Sequence, residues 1–228
     1  MSKDFFDAIR SGDRDRVSRM IASDEGLLRA QDENGLGPFM VAKYSGRNEI
    51  AALLLDKGIE KGVELDLYDA CMAGAGQRVA DLVGWDADLI KSYSPDGWTP
   101  LHLACFFNQP AIAEMLILRG ADVQARSRNA MQNAPLHAAA AGRSRDAVRI
   151  LIEHGADVNA CQHGGWTALH AASQNGDVEM VRLLIAGGAH VHTRADNNQN
   201  ALDLALTKGH QAVVDLLDVY ATNERGAS

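Results

Sequence analysis

One six-residue pattern recurs along the chain at a nearly constant interval. Its clear copies are TPLHLA at residues 99–104, APLHAA at 134–139 and TALHAA at 167–172, with weaker copies GPFMVA at 37–42 and NALDLA at 200–205. Units of this length cannot bury their own apolar faces, so chains built from them fold by stacking each unit on the next. The pattern therefore predicts a solenoid of repeated units.

Alignment on the central apolar residue of the pattern divides the chain into seven units. Their spacings are 34, 28, 34, 35, 33 and 33 residues, measured between Phe5, Phe39, Leu67, Leu101, Leu136, Leu169 and Leu202. A second block recurs in register, as LILRGADV at 116–123, LIEHGADV at 151–158 and LIAGGAHV at 184–191. Two matched blocks at one offset make a chance repeat very improbable.

These blocks resemble the ankyrin-repeat proteins over residues 4–220. The segments 93–102 and 161–170 are more narrowly similar to blocks common in cytosolic ankyrin-repeat proteins of bacteria. The resemblance implies an all-α solenoid of about seven helix-turn-helix repeats with short β-turn fingers. It also implies a non-catalytic module that binds a partner protein on its concave surface, where the fingers and first helices lie.

The spacing of 28 residues before Leu67 marks an irregular point in the array. The turn that precedes other repeats is missing there, and residues 66–74 instead repeat the pattern of residues 4–12, which opens the chain. Repeat 3 thus resembles a starting cap inside the array. We expect two arrays, residues 1–62 with two repeats and residues 63–228 with five, stacked as one solenoid.

Composition excludes several classes of function. The formal net charge of −8 disfavours nucleic acid and anionic lipid as partners. No apolar run approaches the roughly 20 residues of a membrane-spanning helix, and the first residues lack the apolar stretch of a secretory signal. The three cysteines have no disulfide or zinc-site spacing. We expect a cytoplasmic monomer without metal or cofactor.

Positions that vary between repeats predict the partner-binding surface. At the finger tips these are Leu36, Trp98 and Trp166, with Met131 and His163 nearby. On the exposed ends of the first helices they are Tyr44, Phe106, Phe107 and Gln174. Because only 5% of the residues are aromatic, this surface gathers a large share of the rings. Aromatic side chains dominate binding hot spots, so we expect Trp98 and Phe107 to contribute strongly to affinity.

Two alternative sites are compatible with the residue types. Recurrent His102, His137 and His170 could suggest a metal or catalytic centre. The family resemblance implies a structural role for them, however, and a spacing of about 10 Å between neighbouring helices is too wide for one ion. A surface zinc site at His163, His190 and His192 is the weaker possibility.

A basic cluster around repeat 5 is a competing binding surface. It comprises Arg126, Arg128, Arg143, Arg145 and Arg149. These residues could form a solvated face or could orient an acidic patch of a partner protein.

Two functional hypotheses follow from the sequence. The first is a protein–protein interaction module. The alternative is a regulatory inhibitor or immunity-type factor that blocks one specific enzyme. No nucleophile with an orienting base is evident, so we expect no enzymatic activity of its own.

Overall fold

The computed structural model describes residues 2–226, with side chains as far as residue 220. This part of the chain contains fourteen α-helices and no β-strand. Three short 3-10 helices, Glu25–Arg29, Ala87–Lys91 and His163–Gly165, lie between them. The α-helices are α1 Ser2–Ser11, α2 Arg14–Ser23, α3 Pro38–Tyr44, α4 Asn48–Glu60, α5 Leu67–Ala73, α6 Gly76–Trp85, α7 Pro100–Phe106, α8 Pro110–Leu118, α9 Pro135–Ala141, α10 Arg145–Glu153, α11 Ala168–Gln174, α12 Val178–Ala186, α13 Ala201–Lys208 and α14 Gln211–Gly226.

The helices pair in sequence order to give the seven predicted repeats. Each first helix packs on its own second helix and on the first helix of the next repeat. From repeat 3 onward, consecutive first helices pack more extensively on one another than consecutive second helices do. The first helices therefore form the inner layer of the solenoid, which we call the inner helices.

Local sequence explains where the inner helices begin. In α7, Pro100 occupies the first helical position, where its missing N–H leaves no hydrogen bond unmade. The hydroxyl of Thr99 accepts a hydrogen bond from the His102 backbone N–H, which caps the same helix. The helix ends before Asn108, whose φ of 57° is left-handed.

Apolar residues at the repeat positions fill the core between the two helix layers. Leu101, Leu136 and Leu169 are each 1% exposed, as their recurrence in the alignment predicts. Alanines such as Ala139 and Ala172 are fully buried between inner helices, where their small size allows close packing.

Five hairpin fingers project from the inner helices of the described residues. Each is closed by a backbone hydrogen bond from its first residue to its last, across residues 32–36, 94–98, 127–133, 162–166 and 195–199. The last four are joined side by side, because Arg128 N, His163 N and Asp196 N each donate to a carbonyl of the preceding finger.

Repeat 3 has no finger, and its neighbours close over the gap. A short connection of six residues, 61–66, leads from α4 to α5 without a hairpin. The finger of repeat 2 consequently lies against the finger of repeat 4, where a Cβ atom on Gly35 would stand 3.4 Å from Pro95 Cβ. The Tyr44 hydroxyl also donates to Asp96 Oδ2 at 2.6 Å, across repeat 3.

We propose that residues 63–228 form an array that folds without residues 1–62. The second helices α4 and α6 pack less on each other than any other consecutive pair of second helices does. In addition, Asp69 of α5 lies on the side of repeat 2. It holds the same position in its repeat as Asp7 holds in α1, the exposed first helix of the array. Because solenoid stability is roughly a sum of repeat and neighbour terms, an array cut at this junction keeps most of its interfaces.

Expression of residues 63–228 alone is the first test of this proposal. We expect a helical fragment with one cooperative thermal transition, at a lower temperature than the full chain because the Tyr44–Asp96 contact is lost. Residues 1–62, with two repeats, should stay unfolded, since at least three repeats are needed for stability. A non-cooperative melt of residues 63–228 would contradict the proposal.

Candidate functional site

A cavity of about 500 Å³ opens on the surface formed by the fingers and inner helices of repeats 4–6. We call it the inner groove. Six of the nine residues named for the predicted binding surface line it, namely Trp98, Phe106, Met131, His163, Trp166 and Gln174. Met131 is 48% exposed although it is a large apolar side chain, and Gln174 is also exposed. The groove thus combines apolar walls with an accessible opening, which is typical of sites that bind ligands or partner segments.

The fingers hold the aromatic walls of the groove in place. Trp98 and Trp166 each end a finger, directly before an inner helix, and each indole packs on the histidine four residues later in the chain, with ring centroids 5.8 and 5.6 Å apart. Phe106, at the end of α7, meets Trp98 edge to face at 5.2 Å. These contacts leave the rings partly exposed in fixed orientations, which limits the entropy that a binding partner must remove.

Phe107 and Tyr44 extend the aromatic row away from the groove. Phe107 packs on Phe106 at 5.1 Å and on Tyr44 at 5.6 Å, and Lys43 Nζ lies 5.1 Å from its centroid. Burial and the hydrogen bond to Asp96 raise the pKa of the Tyr44 hydroxyl. Leu36, Tyr44 and Phe107 do not line the groove. Tyr44 and Phe107 instead pack repeat 2 against repeat 4, and Leu36 packs on the core.

Several groove residues were absent from the sequence prediction. They come from the bases of the fingers and the inner sides of the helices, and include Gln162, Thr167 and Ala171. Gln162 begins the finger that Trp166 ends, so the register of the hairpin would have indicated it. Ala141 precedes Gly142, where a Cβ would stand only 2.0 Å from the Phe106 carbonyl oxygen. This close approach holds the end of α9 against α7 at the side of the groove.

The recurrent histidines link each inner helix to the next finger. His102 Nε2 lies 2.8 Å from the Asn133 carbonyl oxygen, and its Nδ1 lies 2.7 Å from Thr99 Oγ1. His137 and His170 make the same Nε2 contacts with Trp166 and Gln199. Burial lowers the pKa of His102 and of His137 to about 4 and also lowers that of His170. Neutral, fully engaged imidazoles of this kind are structural.

The weaker alternative of a surface zinc site at His163, His190 and His192 gains no support from the structure. His190 and His192 lie in a turn rather than on an extended segment, so the alternation of side chains assumed for them does not apply. No group of three metal-binding side chains occurs anywhere in the part of the chain that the structure describes.

The five arginines around repeat 5 do not form one patch. Arg126 and Arg128 lie in the finger before α9, and Arg143 lies beyond its other end, about 10 Å away for a helix of this length. Arg145 pairs with Asp177 at 2.7 Å, and Arg149 pairs with Asp146 on the same helix. Arg126 donates to the Cys161 carbonyl oxygen at 2.6 Å. The expectation of a single basic cluster was wrong, because neighbours in sequence lie at opposite ends of the repeat.

The remaining features concern membranes and thiols. Within residues 2–226, none of the helices has the length and apolar character needed to cross a bilayer. Cys71 and Cys105 are buried free thiols, and burial raises the pKa of both, whereas Cys161 is exposed.

Comparison with known proteins identifies the repeats. Residues 96–128 match the family model for the ankyrin repeat, and residues 136–185 match the model for multiple ankyrin repeats. Together the two matches cover repeats 4–6, which form the inner groove.

Similar proteins come from fungi and animals. An ankyrin repeat domain-containing protein, SAT10, of Stachybotrys chartarum is 30% identical over 71% of this chain and 8% of its own length. Human ankyrin repeat and SOCS box protein 6 is 31% identical over 63% of the chain and 36% of its own length. Rabbit ankyrin repeat and SOCS box protein 5 is 37% identical over 41% of the chain and 27% of its own length.

The chain therefore spans about a third or less of the length of these relatives. Ankyrin repeats are in general non-catalytic protein-interaction modules. The chain belongs to the ankyrin-repeat family, because it combines the two family matches with seven stacked helix pairs and a finger at the start of five of them.

Proposed function

We propose that this protein is a non-catalytic interaction module that binds a partner protein in the inner groove. The observation that carries the proposal is the cavity of about 500 Å³ with Trp98, Phe106, Met131 and Trp166 around it. Its volume accommodates one or two large apolar side chains of a partner. We take the module to act as a cytoplasmic monomer, since its three cysteines are free and two of them are buried.

The groove suits an apolar anchor residue on a partner loop or helix. Its lining contains no carboxylate, ammonium or guanidinium group, so a charged side chain would lose its water shell there without gaining an ionic partner. Asn133, Gln162 and Gln174 place amide groups around the apolar walls. Such groups fix the orientation of a bound segment through hydrogen bonds, while the rings supply contact area.

Truncation of groove residues tests this function. We expect Trp98→Ala and Met131→Ala to weaken the binding of a partner at least tenfold, since hot-spot truncations cost about 2 kcal/mol or more. The partner is first captured from a lysate of the source organism on the full chain, and its affinity for each variant is then measured by calorimetry. Circular dichroism of each variant monitors folding.

Trp85→Ala is the matched control, because Trp85 lies on the outer helix α6 and is 89% exposed. It removes an accessible indole from the opposite layer and should leave affinity unchanged. Loss of binding in Trp85→Ala, with full binding in Trp98→Ala and Met131→Ala, would place the partner site on the outer helices and contradict the proposal. Phe107→Ala should instead lower stability, because its ring packs between Phe106 and Tyr44.

A further inference from the structure

The missing finger of repeat 3 leaves a second cavity, of about 520 Å³, between the fingers of repeats 2 and 4. We call it the notch. Gly35 and Pro95 of the two fingers stand at its sides, and Asp66 and Asp69 at the start of α5 lie where the third finger would otherwise be. The notch shares no lining residue with the inner groove. It is therefore a separate feature of the surface.

Asp69 is out of place in this position. The equivalent residues of the other internal repeats are apolar, namely Val41, Leu103, Ala138, Ala171 and Leu204. The Asp69 side chain is partly buried, and none of the hydrogen bonds or ion pairs between described residues engages its carboxylate. Burial, together with the nearby charge of Asp66, raises its pKa to about 7. An unpaired carboxylate that lines a cavity is a candidate for a binding site.

The other charged groups around the notch are already engaged. Asp66 Oδ1 accepts from the Asp69 backbone N–H at 2.8 Å, and Glu64 pairs with Arg78 at 2.6 Å. Arg29, the one cation that lines the notch in the described structure, donates to the Gly62 carbonyl oxygen at 3.5 Å. Asp69 therefore provides an ionic site that the chain itself leaves open.

Aromatic side chains of the notch favour a planar cation. Tyr68 and Tyr93 line it, and the Tyr68 hydroxyl is held by Ser92 Oγ at 2.9 Å. The Tyr93 ring already stacks on the guanidinium of Arg128, with Cζ 3.9 Å from its centroid, in the cavity on its other side. A guanidinium bonds a carboxylate through two parallel N–H groups and stacks on rings, which an ammonium does not do. A divalent metal would need about six oxygen ligands, more than the single open carboxylate of Asp69 offers.

We propose that the notch binds an arginine side chain of a partner protein, with its guanidinium on Asp69 and its stem between the two fingers. This rests on the proposed function only in taking the arginine from a protein partner. The two sites are distinct, so each can fail without the other.

The probe is the peptide acetyl-Gly-Arg-Gly-amide, titrated into the isotope-labelled full chain at pH 8 and followed by NMR. We expect saturable shifts at Gly35, Asp69 and Tyr93, and a fall in the pKa of Asp69 on saturation. The same peptide with lysine should bind at least threefold more weakly, and that with neutral citrulline should not saturate. Equal binding of the three peptides would overturn the proposal.

Two variants separate loss of the site from loss of the fold. Asp69→Leu restores the apolar residue of the other repeats and should abolish binding without unfolding the chain. Trp85→Ala removes an exposed indole from the outer helix α6, away from the notch, and should bind the peptide with unchanged affinity. Undiminished binding in Asp69→Leu would contradict the assignment. An ordinary pKa for Asp69 in the free protein would also contradict the assignment, because it would show that Arg29 already neutralises the Asp69 carboxylate.

Discussion

Acidification from pH 6.5 to pH 4 is expected to destabilise this protein through His102 and His137, although protonation of Asp69 opposes part of the loss. His102 and His137 are held neutral in the fold with pKa values of about 4, below the 6.5 of an unperturbed imidazole. The unfolded chain therefore binds more protons than the folded chain in this window. The contribution of these two histidines to the free energy of unfolding is fully present above pH 6.5 and is lost as the pH falls toward 4.

The magnitude follows from the size of the pKa shifts. At about 1.36 kcal/mol per unit, each of the two histidines accounts for about 3 kcal/mol at pH 4. Their sum is comparable with the 5 to 15 kcal/mol that is typical of whole domains. The structural cause is burial, which disfavours the charged imidazolium. The Nδ1 atom of His137 accepts from the Ala134 N–H, so a proton added there would face a donor.

Urea unfolding at half-unit steps between pH 7 and pH 4 measures this effect. The free energy of unfolding should fall below about pH 6, less steeply than two histidines alone would give because protonation of Asp69 opposes them. In His137→Gln the fall should be shallower by about one proton. His154→Gln is the control, because His154 is exposed at the end of α10 and forms no link between repeats. An equal pH slope in wild type and His137→Gln would show that this histidine does not carry the acid sensitivity.

Replacement of Asp69 by leucine is expected to stabilise the protein. The folded pKa of Asp69, about 7, lies above its ordinary value of 3.8, so the folded state favours the protonated carboxyl. Stability is then greatest below pH 3.8 and is lost as the pH rises through 7. The shift of about three units corresponds to at most about 4 kcal/mol above pH 7.

Thermal melting of Asp69→Leu and Asp69→Asn measures this gain. At pH 8 both variants should melt several degrees above wild type, since about 1 kcal/mol shifts Tm by roughly 2 to 4 °C in chains of this length. The gain should shrink toward zero near pH 4. Asp7→Asn is the matched control at the equivalent position of repeat 1, where the carboxylate is exposed, and should leave Tm unchanged. A gain independent of pH would show that the Asp69 charge is not its cause.

This stabilising change should remove function in the same step. If the notch binds arginine, the carboxylate that costs stability in the free protein is the group that the partner neutralises. A residue that destabilises its own repeat and serves a ligand is a recurrent trade-off in proteins. In residues 63–228 alone, Asp69 would be exposed as Asp7 is, and its pKa should return toward the ordinary range.

The repeat period alone determined the number of repeats, the core leucines and most of the inner groove. Leu101, Leu136 and Leu169 had to be buried because each unit hides its apolar face only against its neighbours. Trp98 and Trp166 hold equivalent places in successive units, so a stacked array necessarily brings them to one surface. Predictions of this kind need only the local pattern and the stacking rule.

Tertiary structure decided what the period could not express. Whether the fingers of repeats 2 and 4 would meet depended on how the chain closes over a missing unit, and this placed Tyr44 and Phe107 in a packing contact. The arginines of repeat 5 separated because a helix of seven residues carries its two ends about 10 Å apart. The sequence predicts that Asp69 is a surface residue of a cap. Only the packing of α5 against repeat 2 partly buries its side chain and raises its pKa.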